Sequence, residues 1–144
     1  PYEHGMAETG TAVMVGNQTV PGWSHGPASL SSVVHRYLRD KLGFHNNLVV
    51  TDALNAVAIE NVTSNETQAV VRAIKAGNDM ALFIESSGYA GADALPFGDI
   101  KKGLKQAVRE GEIPKRQIAM SVARKLAAQH ISACSLIKPS GKKH

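Results

Sequence analysis

Three short, uninterrupted apolar runs constrain what this chain can fold into: Ala12-Val13-Met14-Val15-Gly16, Leu48-Val49-Val50-Thr51 and Met80-Ala81-Leu82-Phe83-Ile84. None of them alternates. A strand wet on one side alternates apolar with polar residues, so uniform runs imply strands covered on both faces, as in a parallel sheet. Helical patterns lie between the runs. Residues 32–42 carry Val34, Leu38 and Leu42 on one stripe, with Gly43 as the expected C-cap. Thr67 to Ala76 carries Val70, Val71 and Ile74, with Gly77 as its stop. The runs are about 30 to 36 residues apart, a spacing that suits right-handed βαβ units.

Two more helices are expected after the third run. Ile100, Leu104 and Val108 mark the first, which ends near Gly111. Pro114 opens the second, with Ile118, Val122 and Leu126 as its inner stripe. The expected order is helix, β, helix, β, helix, β, helix, helix. Three such units leave two unpaired sheet edges. A closed (β/α)8 barrel needs about 250 residues, and this chain has 144. The α/β pattern therefore has parallel-barrel character without the length to close, and either a partner supplies the other strands or the sheet is covered another way.

Composition narrows the function classes. A hydrophobic fraction of 43% and a charged fraction of 19% describe a globular chain rather than a disordered one. Aromatic residues make up 5%, too few for a nucleic-acid stacking surface, and no apolar window is long enough for a membrane span. The net charge of +4 conceals an asymmetry: residues 1–100 sum to −5 and residues 101–144 to +9. The lysines are spread at helical spacing with no interleaved aromatics, which reads as the solvated faces of two helices plus a basic tail over residues 135–144. Cys134 is the only cysteine, which excludes an internal disulfide; it reads as apolar filler. No cofactor or metal is expected.

In parallel α/β proteins, polar residues at the C-terminal ends of strands line the site. Here those are Asn17, Asp52, and Glu85 with Ser86. Asp52 stands out because a carboxylate directly after an apolar run sits at the sheet's mouth, where it can ionise and face a substrate. Asp before a helix is also a common N-cap, here for the segment 53–59. From position alone both readings stand. Asp79, at the start of its strand, reads as structural.

A wider pattern bears on that choice. Ala12 to Asn17, Val20-Pro21-Gly22, Pro27-Ala28-Ser29-Leu30-Ser31, Leu38-Arg39, Leu42-Gly43-Phe44, Val49-Val50-Thr51-Asp52-Ala53-Leu54 and Ala73 to Met80 occur in order. Together, over roughly residues 2 to 130, the chain resembles glycoside hydrolase family 3, most closely its β-N-acetylglucosaminidase branch. The resemblance implies a (β/α)8 TIM barrel of which this chain holds strands six to eight and their helices, over residues 1–134. It also implies that Asp52 is the nucleophile of a retaining glycosidase, attacking the anomeric carbon to form a glycosyl-enzyme.

The resemblance places the remaining machinery upstream. In that branch the acid/base is a His paired with an Asp on a loop before the strand that begins at Ala12, and a Lys-His pair that binds sugar hydroxyls lies upstream too. None of the six histidines matches: His4 precedes a helix, His25 follows the first strand, His35 is expected on a helix surface, His45 in a turn, and His130 and His144 near the end. Substrate contacts are expected from Met14, whose alternative is core filler, and from Asn17, where relatives often carry His but an amide still bonds a hydroxyl. Trp23 is either a sugar-stacking platform or a plug for its loop. Departures exist: His45-Asn46-Asn47 stand where the family usually has Gly, and the absence of a large following α/β domain favours the single-domain branch.

The expected partners are a carbohydrate substrate, GlcNAc-containing glycans such as peptidoglycan fragments, and a second chain or fragment bearing the N-terminal barrel strands. Alone, the chain is expected to be inactive. A β-glucosidase or β-xylosidase of the same family, a non-catalytic barrel-derived binding module, and an unrelated enzyme with Asp52 as a metal ligand are the alternatives. The last lacks any cluster of ligand residues at suitable spacing.

Overall fold

A computed structural model describes residues 11–84 and 96–131. Three strands, β1 (Val13–Val15), β2 (Val49–Ala53) and β3 (Met80–Leu82), form one parallel sheet in the order β1-β2-β3. Between β1 and β2 lie a single 3-10 turn, Ala28–Leu30, and helix α1, Ser32–Arg36, which continues as a π-helical turn over Tyr37–Lys41. Between β2 and β3 lie the short α2 (Val57–Glu60) and α3 (Glu66–Ala76). Two helices close the described chain, α4 (Phe97–Arg109) and α5 (Lys115–Ala128). The three strands fall within the three apolar runs, and the order of strands and helices from β1 onward follows the hydrophobic pattern.

Local chemistry accounts for the helix ends. The Asn65 side chain accepts the Gln68 N–H at 2.9 Å, and the Gln68 side chain accepts the Ser64 N–H at 2.8 Å, a reciprocal cap that starts α3. Gly77 ends α3 at φ 126°, a region that side chains rarely adopt. Gly43, at φ 77°, turns the chain after the π-helical turn as its sequence position predicts.

Among the described residues, the core clusters lie on one side of the sheet. Val15 and Val49 are buried with Ala28, Leu38 and Phe44, and Val13, Val34 and Leu42 pack against them. A second cluster joins Leu54, Ile59, Val70, Ala73, Ile74, Ile100, Ala107 and Ile113, with Ala81 and Phe83 against it. By alternation, Met14, Val50, Asp52, Met80, Leu82 and Ile84 point to the other side. Among the described residues no element covers that side: Met14 is 59% exposed and Ile84 60%, with Val50, Asp52, Met80 and Leu82 half-buried between their neighbours. The runs read as strands buried on both faces, yet the described residues cover only one.

Asp79 confirms its structural reading with a specific geometry. Its side chain is 1% exposed and accepts from Arg39 at 2.7 Å, Arg124 at 2.9 Å, the Ser121 hydroxyl at 2.8 Å and the Val49 N–H at 2.9 Å. One carboxylate thus ties the chain before β3 to β2, to the π-helical turn and to α5. Burial lowers the Arg39 guanidinium from its ordinary range, and the charge of Asp79 and its hydrogen bond oppose that shift.

Two expectations are corrected. His35 is buried rather than on the surface: its Nδ1 is paired with the Ser31 carbonyl at 2.8 Å, and its side chain lies against Gly77, where an added Cβ would come within 2.9 Å of it. The close approach of α1 to the end of α3 is what buries it. On α5, Ile118 packs against the core and Leu126 is half-buried as expected, but Val122 is exposed and Ser121 is buried, turned inward by its hydrogen bond to Asp79. The expected tail over residues 135–144, together with Cys134, His4 and His144, lies outside the described residues.

Candidate active site

Asp52 is the next-to-last residue of β2, the central strand, and points to the side that no described element covers. Its Oδ1 accepts the N–H of Ala53 at 2.7 Å. It does not cap a helix. The nearest helix, α2, starts at Val57 behind Ala56, and no side chain caps it. The N-cap alternative is therefore removed, and among the described residues no Lys, Arg or His forms an ion pair with Asp52.

The sheet end around Asp52 is held by side chains from several elements. The pairing of β2 with β3 shifts register between Val50, opposite Met80, and Ala53, opposite Leu82, so β2 carries one residue more. There the Thr51 hydroxyl accepts the Leu82 N–H at 2.9 Å, and the Leu54 N–H reaches the Leu82 carbonyl at 2.9 Å. Beyond Leu82, the Asn55 side chain exchanges two hydrogen bonds with the backbone of Ile84, at 2.8 and 3.1 Å, prolonging β3 toward the mouth.

Asn17 follows β1 and is 7% exposed. Its Nδ2 donates to the Ala53 carbonyl at 2.7 Å, and its Oδ1 accepts the Ser29 hydroxyl at 2.6 Å. One amide hydrogen and one lone pair are left. Met14 pairs in register with Val50 and lies one layer deeper than Asp52 on the same face. Trp23 is 42% exposed and its ring meets that of Tyr37 with centroids 4.5 Å apart at 58°, a contact that favours the loop-plug role. His25 is exposed in the same loop. Glu85 and Ser86 lie outside the described residues.

A shallow depression of about 230 Å³ opens next to this end of β2, lined by Leu54, Asn55, Glu60 and residues 63–66. Asp52 is not part of it. Among the described residues, no group of three His, Cys, Asp or Glu side chains is placed to hold a metal ion, and no helix is long and apolar enough to cross a membrane.

Residue-level reasoning missed Ser29, Thr51 and Asn55 as parts of this end. Ser29 and Thr51 each stand as a polar residue within a conspicuous motif, the only signal that the sequence offered for them.

The chain as a whole is similar to known proteins. The family described as Glycosyl hydrolase family 3 N terminal domain matches residues 1–128, and the chain belongs to it. It is similar to the β-hexosaminidase LpqI of Mycobacterium tuberculosis, 31% identical over 129 residues, which are 86% of this chain and 31% of the relative. It is also similar to a β-N-acetylglucosaminidase/β-glucosidase of Cellulomonas fimi, 30% identical over 88% of this chain and 22% of the relative. Among solved structures, a family member from Mycobacterium smegmatis superposes with a TM-score of 0.71 at 31% identity, covering 88% of this chain and 38% of the other. The chain thus spans about a third of the length of the first of these relatives.

Proposed function

We propose that this chain is the nucleophile-bearing part of a retaining β-N-acetylhexosaminidase, acting on GlcNAc-containing glycans such as peptidoglycan fragments, and that its strands are numbers six to eight of a (β/α)8 barrel. The single observation that carries the reading is Asp52. It stands at the C-terminal end of the central parallel strand, on the uncovered face, with one oxygen on the Ala53 N–H and no cationic partner among the described residues.

In this reading the free Asp52 oxygen attacks the anomeric carbon while the bond to the leaving oxygen breaks. An acid on the remaining part of the barrel protonates that oxygen, giving an ester between the sugar and Asp52. Water, deprotonated by the same group, then attacks the anomeric carbon and frees the carboxylate. Met14 floors the sugar site one layer below. The remaining strands, on another stretch of polypeptide, cover Met14, Val50, Met80 and Leu82 and pair the free edges of β1 and β3. The shares of the relatives' lengths support that completion.

A β-glucosidase is the second reading, favoured by the double name of the Cellulomonas fimi relative. The two separate on aryl β-N-acetylglucosaminide and aryl β-glucoside substrates. For the mechanism, Asp52→Gly in the complete enzyme should stop hydrolysis, and added azide should then yield a glycosyl azide of inverted configuration. Hydrolysis at the wild-type rate by that variant contradicts the proposal.

A further inference from the structure

We infer that Ser29 and Asn17 form a buried relay that positions the Asp52 carboxylate, an inference that rests on Asp52 being the nucleophile. The register shift in β2 falls on the residues around Asp52. A regular ladder would fix the backbone there through neighbouring strands; at the shift, side chains take over that task. Ala53 is held at both of its polar backbone groups. Its N–H donates to Asp52 Oδ1 at 2.7 Å, and its carbonyl accepts from Asn17 Nδ2 at 2.7 Å. Rotation of Ala53 would break both bonds, so the direction of the carboxylate is tied to the amide of Asn17.

The amide is itself fixed. A backbone carbonyl only accepts, so Nδ2 must face Ala53 and Oδ1 must face Ser29, whose hydroxyl donates at 2.6 Å. Ser29 is fully buried, with its N–H on the Gly16 carbonyl at 3.0 Å and its carbonyl accepting from Asn78 Nδ2 at 2.7 Å. Asn78 also donates to the Ala73 carbonyl at 2.8 Å, which anchors the relay to α3. Because Ser29 and Asn78 are sealed from water, a deleted partner is not replaced by solvent. Ser29, enclosed behind the sheet, does not meet the sugar and is a positioning residue.

The test uses the complete enzyme and a 5-fluoro glycosyl fluoride that keeps the 2-acetamido group, which forms a long-lived glycosyl-enzyme. Two quantities are read: the reagent's dissociation constant and the first-order trapping rate constant. For Ser29→Ala the trapping constant should fall about 10- to 100-fold, the size expected for a misdirected reacting group. The dissociation constant should stay within about threefold, since the group does not touch the sugar. Ser29→Thr, which keeps the hydroxyl, should recover most of the rate. Asn17→Asp, equal in shape but placing an acceptor against the Ala53 carbonyl, should be slowed in the same way, and it decides the matter if Ser29→Ala does not fold. Trapping of Ser29→Ala or Asn17→Asp at the wild-type rate overturns the relay, as does a Ser29→Thr as slow as Ser29→Ala. If the wild-type label maps to a peptide without Asp52, the nucleophile reading itself fails, and the relay with it.

Discussion

Gly77 shows how a single residue type makes an approach of two helices possible. Its φ of 126° ends α3, and the missing Cβ admits His35 of α1. Gly77→Ala combines backbone strain with a contact of 2.9 Å to the His35 Cβ, and should cost about 1–3 kcal/mol, read as a lowered midpoint in urea. The stop at Gly77 was legible, because glycine after a helical stripe reads as a terminator. The burial of His35 was not: it depends on which face of α1 meets α3, and a histidine on a short amphipathic pattern carries no sign of that. Asp52 was legible as a strand-end carboxylate, whereas whether it also caps a helix depends on where the next helix starts. The structure starts it at Val57, four residues too late for a cap.

At the scale of elements, the Asp79 carboxylate joins α5 and the π-helical turn to the sheet. Asp79→Ala would leave Arg39 and Arg124, both largely buried, without their anion. Removing one partner of a buried ion pair costs about 3–5 kcal/mol, so a large drop in melting temperature is expected. Ser121→Ala removes one hydrogen bond to the same carboxylate and should cost about 1 kcal/mol. Val122→Ser, on the exposed face, should leave the melting temperature nearly unchanged; a loss as large as that of Ser121→Ala would contradict the observed orientation of α5. Helix existence was readable from the spacing of apolar residues. The inward turn of Ser121 in place of Val122 on α5 was not, since a polar anchor leaves no periodic trace. The register shift in β2 is likewise invisible in a run as uniform as Leu48-Val49-Val50-Thr51, where every residue suits any register.

Across the whole molecule, the uniform apolar runs and the half-covered sheet describe the same fact twice. In the proposed arrangement, Val50, Met80 and Leu82 pack inside a barrel completed by strands on another stretch of polypeptide, with Met14 beneath the sugar. By itself the chain should bind a hydrophobic dye on that face and hydrolyse no glycoside. Addition of a separately produced polypeptide bearing the remaining barrel strands should lower dye binding and restore turnover; active chain alone would contradict the split arrangement. Asp52→Asn in the assembled enzyme should lower kcat on the order of 10⁴-fold with the fold intact by circular dichroism. The most direct test is to trap the assembled wild-type enzyme with the 5-fluoro glycosyl fluoride, digest it and map the labelled peptide by mass spectrometry. The account predicts one glycosyl adduct on Asp52; an adduct on any other residue would contradict it.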